Sequence, residues 1–257
     1  MKTPGGPAQE SPVTRLALVS DIHANLEAAR AVFDDIDRQR PDRVVSLGDN
    51  IGYGPDPAEV LGLLKARNVP SLLGNHEWAA ADPARAGGFS RPARESLLWT
   101  IAALPPELAA GLAGLPVSMS LCGCRLVHGM PPDNILTYLR GAGTKALRRA
   151  FAGTPERLSF VGHSHVVEAV ELAGPSFRRF APAPGRHLLP AGRRLIVCVG
   201  SVGWPRDGDG RAKYVIYDSA EHSLTVRAVP YDIEAVAEKL GRRGLPRPAA
   251  GPFGAGR

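Results

Sequence analysis

Short apolar runs alternate with stretches of helical period over the first third of the chain, and this alternation restricts the fold more than any other feature. Residues 13–20 read as a strand. Residues 25–39 then place Leu26, Ala29, Val32, Phe33 and Ile36 on one helical face. Residues 43–47 read as a second strand. Asp56 caps a second helix with Pro57 at its first position, running to about Arg67, and residues 69–73 read as a third strand. A β-α-β-α-β order implies parallel strands joined by crossover helices.

The Ala-rich middle, 79–116, reads as helical. Beyond it the pattern turns to strands at 117–121, 125–128, 158–161, 165–172, 195–199, 213–218 and 223–229, with a last helix over 232–240. The whole is an α/β (α+β) chain, and two mixed sheets packed face to face with helices outside accommodate both halves. Pro and Gly punctuate both ends, so disordered tails are expected at 1–12 and 241–257 around one domain at 13–240.

Composition narrows the class. With 44% hydrophobic and 22% charged residues, the chain can bury a core and is not a disordered polymer. The three cysteines, Cys122, Cys124 and Cys198, are too few for a disulfide scaffold. Cys122-Gly123-Cys124 flanks a hairpin and lacks the second pair that a zinc ribbon needs. No apolar run is long enough for a membrane span, and MKTPGGPAQESP shows no signal-type apolar region, so a cytoplasmic protein is expected. The net charge is +6, but residues 241–257 hold four arginines and no acid, and without them the excess is +2. Nucleic acid is therefore not the expected partner. A second arginine-rich stretch, 178–194, reads as solvated loop surface, or alternatively as a rim attracting anionic substrates.

The chemistry gathers where the strands end. Asp21-Ile22-His23 follows the first strand, Gly48-Asp49-Asn50 the second and Gly74-Asn75-His76-Glu77 the third. His128-Gly129 and Gly162-His163-Ser164-His165 end later strands. Five of the seven histidines lie in these segments, whereas His187 and His222 are scattered. Sites in α/β sheets form at the carboxyl edge of the strands, so these segments are expected to converge. Asp-x-His and His-x-His on extended backbone would project two donors to one side. Each segment alone reads equally well as a helix cap, a turn or a hydrogen-bonded core histidine. Their ordered recurrence at strand ends does not.

This series, Asp21-x-His23, Gly48-Asp49, Gly74-Asn75-His76-Glu77, His128 and Gly162-His163-x-His165, resembles the calcineurin-like metallophosphoesterases. SDIHANLEA, GDNIGYGPDP and GSVGWPRDGDGRAKYVIYD are similar to the small bacterial phosphodiesterase branch. The resemblance implies a four-layer αββα fold and a binuclear metal centre. Asp21, His23 and His165 would hold one ion, Asn75, His128 and His163 the other, and Asp49 both. Imidazole, carboxylate and amide donors suit Mn, Fe, Zn or Ni rather than a thiolate site. Asn75 and His76 would also contact substrate. His76 would be the catalytic group that stabilises the transition state or protonates the leaving oxygen.

The implied activity is hydrolysis of phosphodiester bonds, or alternatively phosphomonoester bonds, in a small phosphorylated substrate by a two-metal-activated hydroxide. Gly52 and Tyr53 stand where the protein-phosphatase branch has an aspartate supporting the histidine and an arginine gripping phosphate, which favours diesters over phosphoproteins. The alternatives are a serine/threonine-type protein phosphatase or dinucleoside polyphosphate hydrolase, a non-catalytic scaffold, or a nuclease. Arg206 in the WPRDGDG segment is placed to approach the cleft, Trp78 and Trp204 to line it, and Trp99 to pack in the core.

Overall fold

The protein is described by a computed structural model covering residues 14–246. The expected N-terminal tail, 1–12, lies outside the described residues, as do residues 247–257 of the expected C-terminal tail.

The opening β-α-β unit forms as the sequence implies. Strand β1 (Arg15–Val19) leads into helix α1 (Leu26–Gln39), and β2 (Arg43–Ser46) returns parallel to β1. Asn25 caps α1, its side chain accepting from the Ala28 N–H at 3.0 Å. Helix α2 (Pro57–Ala66) starts with proline at its first turn, but Asp56 makes no side-chain cap bond. Its carboxylate instead accepts from Lys239 Nζ at 2.7 Å. The expected third strand, 69–73, is reduced to one parallel bridge between Ser46 and Ser71. Pro70 has no N–H to extend the ladder, and the Leu73 N–H is taken by the Pro116 carbonyl at 2.8 Å.

The middle is helical, in short pieces. Helix α3 (Asn75–Ala80), a 3-10 segment (Pro83–Gly88), α4 (Arg91–Ala103) and α5 (Pro106–Leu112) pack around Ile51, Ala79, Leu97, Leu104 and Leu112. Strands β3 (Ser118–Leu121) and β4 (Cys124–Val127) form the expected hairpin. Its turn, Cys122-Gly123, has φ of 51° and 70°, the left-handed pair that a two-residue hairpin loop requires.

Helix α6 (Thr144–Gly153) was not expected from the sequence. It precedes β5 (Leu158–Val161) and β6 (Val167–Ala173). The arginine-rich stretch is exposed, as expected, but it is not one loop and does not line the cleft. It folds into β7 (Ser176–Phe180) and β8 (Gly185–Leu188), then enters β9 (Arg194–Val199). Two of its cations pair with acids of neighbouring segments: Arg178 Nη2 lies 2.5 Å from Glu171 on the adjacent strand, and Arg186 Nη2 lies 2.6 Å from Glu221. Strands β10 (Ala212–Asp218) and β11 (Ser223–Val229) follow. Helix α7 (Ile233–Arg242) runs past the expected boundary at 240, and Leu245 beyond it is buried beside Val236 and Leu240. Residues 241–246 thus belong to the folded unit.

Two mixed sheets result, in the orders β2-β1-β10-β11-β8 and β3-β4-β5-β9-β6-β7. Alternation along each strand divides their side chains between two layers. Leu16, Leu18, Val215 and Tyr217 face Leu126, Phe160, Val197 and Val199 of the other sheet. Ala17, Val19, Tyr214 and Ile216 face α1 instead. Val127, Val161, Ile196 and Cys198 face Leu147, Ala150 and Phe151 on α6. This is the αββα arrangement.

Phe160 is fully buried between the sheets. Phe160→Ala is expected to lower unfolding free energy by about 3–5 kcal/mol in urea denaturation. A loss below about 1 kcal/mol would contradict the placement of the main core there.

Candidate metal centre

Parallel pairing sets the geometry. Because β1 runs beside β2 and β4 beside β5, the loops after these strands leave their sheets at matching edges. Backbone hydrogen bonds then lace those loops together. Asp21 N donates to Gly48 O at 3.0 Å, His23 N to Asp49 O at 2.9 Å, and Gly162 N to His128 O at 2.8 Å. The two sheets are joined at the same point, where His163 N donates to Asp21 Oδ2 at 3.0 Å.

The donors do not project from extended strands. Asp21, His23, Asp49, His163 and His165 have φ of 53°, 50°, 54°, 62° and 56°, all left-handed. Asp and His tolerate that region better than most side chains, yet each such residue costs of order 1–3 kcal/mol. Convergence therefore comes from tight turns after the strands, not from strand alternation. Gly48, with φ of 102°, lies so close to Gly74 that a Cβ would fall 2.6 Å from the Gly74 nitrogen. This close approach brings the second and third motifs together.

Every predicted site residue is buried and reaches one cluster. Asp21, His23 and His165 form one group of donors, and Asp49, His128 and His163 another. In the first, His165 Nε2 is 3.2 Å from both Asp21 Oδ1 and His23 Nε2. In the second, His128 Nε2 is 3.2 Å from Asp49 Oδ2 and from His163 Nδ1, and 3.1 Å from Asn75 Oδ1. Asp49 Oδ2 also lies 3.9 Å from His23 Nε2, between the groups.

Four imidazoles are oriented by backbone carbonyls. His23 Nδ1 lies 3.0 Å from Ile51 O, His128 Nδ1 3.0 Å from Leu47 O, and His165 Nδ1 2.6 Å from Trp204 O. His163 Nε2 lies 3.2 Å from Leu136 O. A carbonyl only accepts, so each of these nitrogens donates, and in the neutral ring the lone pair of the other turns inward. Asp21 Oδ1 is buried among them without a hydrogen-bond donor. Converging lone pairs repel unless a cation lies among them, so this donor set fits metal ions.

The electrostatics divide the donor imidazoles. Burial drives His23 well below the ordinary imidazole value and His163 down to about 3, which keeps both neutral. For Asp21, burial alone would raise the carboxyl, but the imidazoles facing it, chiefly His165, lower it. Burial also opposes a charge on His128, yet the Asp49 carboxylate against it wins and pushes it up to about 9.

His76 sits beside this cluster with Nε2 4.0 Å from Asp49 Oδ2. Its Nδ1 is buried without a partner, and a Cβ at Gly52 would fall 2.1 Å from it. Burial holds the ring at about 4. A cleft of about 730 Å³ opens over the cluster, lined by Tyr53, His76, Trp78, Phe89, Tyr138 and Arg206 among others. Trp204 is fully buried against the Tyr53 ring, with centroids 5.3 Å apart. Trp99 packs beside the Tyr53–Leu240 core cluster, away from the cleft lining.

Glu77 has a larger part than its place in the motif suggests. Its carboxylate accepts from the N–H groups of Asn50 at 2.6 Å, Asp49 at 2.8 Å and Gly74 at 3.1 Å. It thereby clamps the Asp49 turn to the start of α3. The Gly-x-x-Glu spacing at a helix start is the sequence signal for such a back-bond. Burial, then the neighbouring Asp49 charge, push its pKa up to about 7.

Two outcomes follow for metal binding. A metal takes neutral imidazole, so His128 must lose the proton it holds below about pH 9. Mn²⁺ affinity is expected to fall as pH drops from 9.5 to 7, with protons released on binding; a pH-independent affinity would contradict this. Glu77→Ala is expected to weaken Mn²⁺ binding about 10–100-fold although it contacts no ion. Unchanged affinity would show that the clamp does not matter.

The calcineurin-like phosphoesterase family model matches residues 14–167. An uncharacterized protein of Methanocaldococcus jannaschii is 30% identical over 236 residues, covering 90% of this chain and 93% of that protein. The crystal structure of a metallophosphoesterase from Sphaerobacter thermophilus is 33% identical and superimposes with a TM-score of 0.78, covering 91% of this chain and 96% of that one. A hypothetical protein from Pyrococcus horikoshii shares the fold at 20% identity, with a TM-score of 0.73 over 91% of this chain and 94% of its own. With the family model spanning more than half its length and its donor residues gathered in one cleft, this chain belongs to the calcineurin-like metallophosphoesterases.

Proposed function

We propose that this chain hydrolyses phosphodiester bonds of a small phosphorylated substrate at a pair of divalent metal ions. The observation that carries the reading is the position of the Asp49 carboxylate, which faces His128 at 3.2 Å and His23 at 3.9 Å and so belongs to both donor groups. Asp21, His23 and His165 would hold one ion, Asn75, His128 and His163 the other, and Asp49 stands within reach of both donor groups. The donor set suits Mn, Fe, Zn or Ni. When bound, two such ions supply Lewis acidity and an acidified water at neutral pH.

The chain's own residues do the rest. Two aspartates do not cancel two divalent charges, so the pocket remains positive toward an anionic ester. Asn75 and His76 stand at the start of α3, on the cleft wall, where both would touch the phosphoryl group. His76 has no carboxylate behind Nδ1, and Gly52 fills that position. The ring therefore works neutral, its proton on Nε2, and donates a hydrogen bond to the oxygen on which charge develops. Tyr53, Phe89 and Tyr138 make the cleft walls partly aromatic, which suits the second arm of a diester. A cysteine count too low for a disulfide scaffold accords with a cytoplasmic setting.

Turnover of bis-p-nitrophenyl phosphate with Mn²⁺ tests the reading, and no turnover above buffer with Mn, Fe, Zn or Ni would overturn it. His76→Ala is expected to keep its metal content and lose about 10²–10⁴ in kcat. A fully active variant would remove His76 from the mechanism.

A further inference from the structure

We infer that Arg206 is the residue that grips the anionic oxygens of the substrate, and that it sets the affinity of the cleft for phosphate esters. The inference rests on the phosphoesterase reading and concerns a residue outside the metal-donor motifs.

Two of the residues lining the cleft are arginines, and they differ in what already holds them. Arg85 is committed. Its Nε lies 3.1 Å from Asp82 Oδ2, its Nη1 donates to the Trp78 carbonyl at 3.0 Å, and its guanidinium stacks on the Trp78 ring. Arg206 forms no ion pair among the described residues. Among the described residues its one side-chain hydrogen bond is a long one, from Nη2 to Tyr53 Oη at 3.3 Å; its guanidinium lies over the Tyr53 ring, 5.9 Å from the centroid, and its Nε is buried without a partner. A guanidinium has five N–H donors in a planar fork that matches phosphate geometry. Most of that fork is unspent here, in the wall of a cleft whose floor is the donor cluster.

The backbone fixes where the fork stands. Arg206 N donates to His165 O at 3.0 Å, and the carbonyl of Trp204 accepts from His165 Nδ1 at 2.6 Å. The segment is thus tied twice to one metal-donor histidine. On its far side Lys213 Nζ is buried against Asp207 Oδ1 at 2.9 Å and also donates to the Asp209 carbonyl. That cation satisfies the acids beside Arg206, leaving the guanidinium free for an outside anion. Tyr53, whose ring centroid is 4.7 Å from that of His23 and 5.1 Å from that of His76, separates the guanidinium from the donor cluster by one ring. An ester bound over the cluster would present its free oxygens across Tyr53 to Arg206.

The test compares wild type, Arg206→Gln and Arg206→Lys, each loaded with Mn²⁺, by two readouts. Inorganic phosphate binding is measured by calorimetry, and KM and kcat are measured for bis-p-nitrophenyl phosphate. Arg206→Gln is expected to raise the phosphate Kd and the KM at least tenfold, with kcat changed less than threefold and metal content intact. Arg206→Lys, which keeps a point charge but loses the fork, is expected to fall between. If wild type turns over the diester while Arg206→Gln leaves both Kd and KM unchanged, the inference is overturned and the phosphoesterase reading stands. If wild type turns over no ester but Arg206→Gln still weakens phosphate binding tenfold, that reading falls and the anion grip remains. A drop in kcat alone would also overturn the inference.

Discussion

The structure depends on a set of backbone turns that are unfavourable in isolation. Five metal-competent residues sit in left-handed conformations, and the turns that carry them are held by hydrogen bonds from other segments as well as by their own. The loop after β1 leans on the loop after β2, the loop after β5 leans on the loop after β4, and Asp21 receives N–H groups from His163 and Gly203. A strain of several kcal/mol spread over these positions is tolerable only because two rigid sheets fix the loop ends. The αββα layers are therefore the frame on which the donor atoms are aimed.

The same arrangement explains why a cluster so rich in polar atoms can be buried. Most of the donor imidazoles point one nitrogen at a carbonyl, and the Glu77 carboxylate absorbs three otherwise unpaired N–H groups. What is left over faces inward: lone pairs, the Asp21 oxygen and the shared Asp49 carboxylate. A buried cluster of this kind is costly when empty and gains most from a cation, since unpaired polar groups in low dielectric are penalised. Gly52 and Tyr53 then shape the cleft beside His76. The former leaves no side chain behind His76 Nδ1, and the latter places a phenol in the cleft wall with Arg206 against it.

Much of this was legible in the residues, for physical reasons. Leu16, Leu18 and Phe160 sit in runs whose apolarity has no use except burial, and α1 shows its period because one face packs on a sheet. The histidines at 23, 128, 163 and 165 stood out because imidazole is scarce and these are all at strand ends. Elements at the margins were not legible. Strands β7 and β8 carry arginines paired with acids of neighbouring segments, so their polarity imitates a loop. Helix α6 buries only Leu147, Ala150 and Phe151 of its ten residues, too narrow a stripe amid basic side chains to stand out. The left-handed turns were invisible because Asp and His are compatible with both backbone regions, and Arg206 gains its meaning from contacts with His165 and Tyr53, which are 41 and 153 positions away.

The central claim is that two ions share Asp49, and anomalous diffraction at the manganese edge from a crystal grown with Mn²⁺ tests it most directly. The account predicts two peaks roughly 3.5–4 Å apart, one amid Asp21, His23 and His165, the other amid Asn75, His128 and His163, with the Asp49 carboxylate between them. A single peak, or two peaks of which only one touches Asp49, would contradict it.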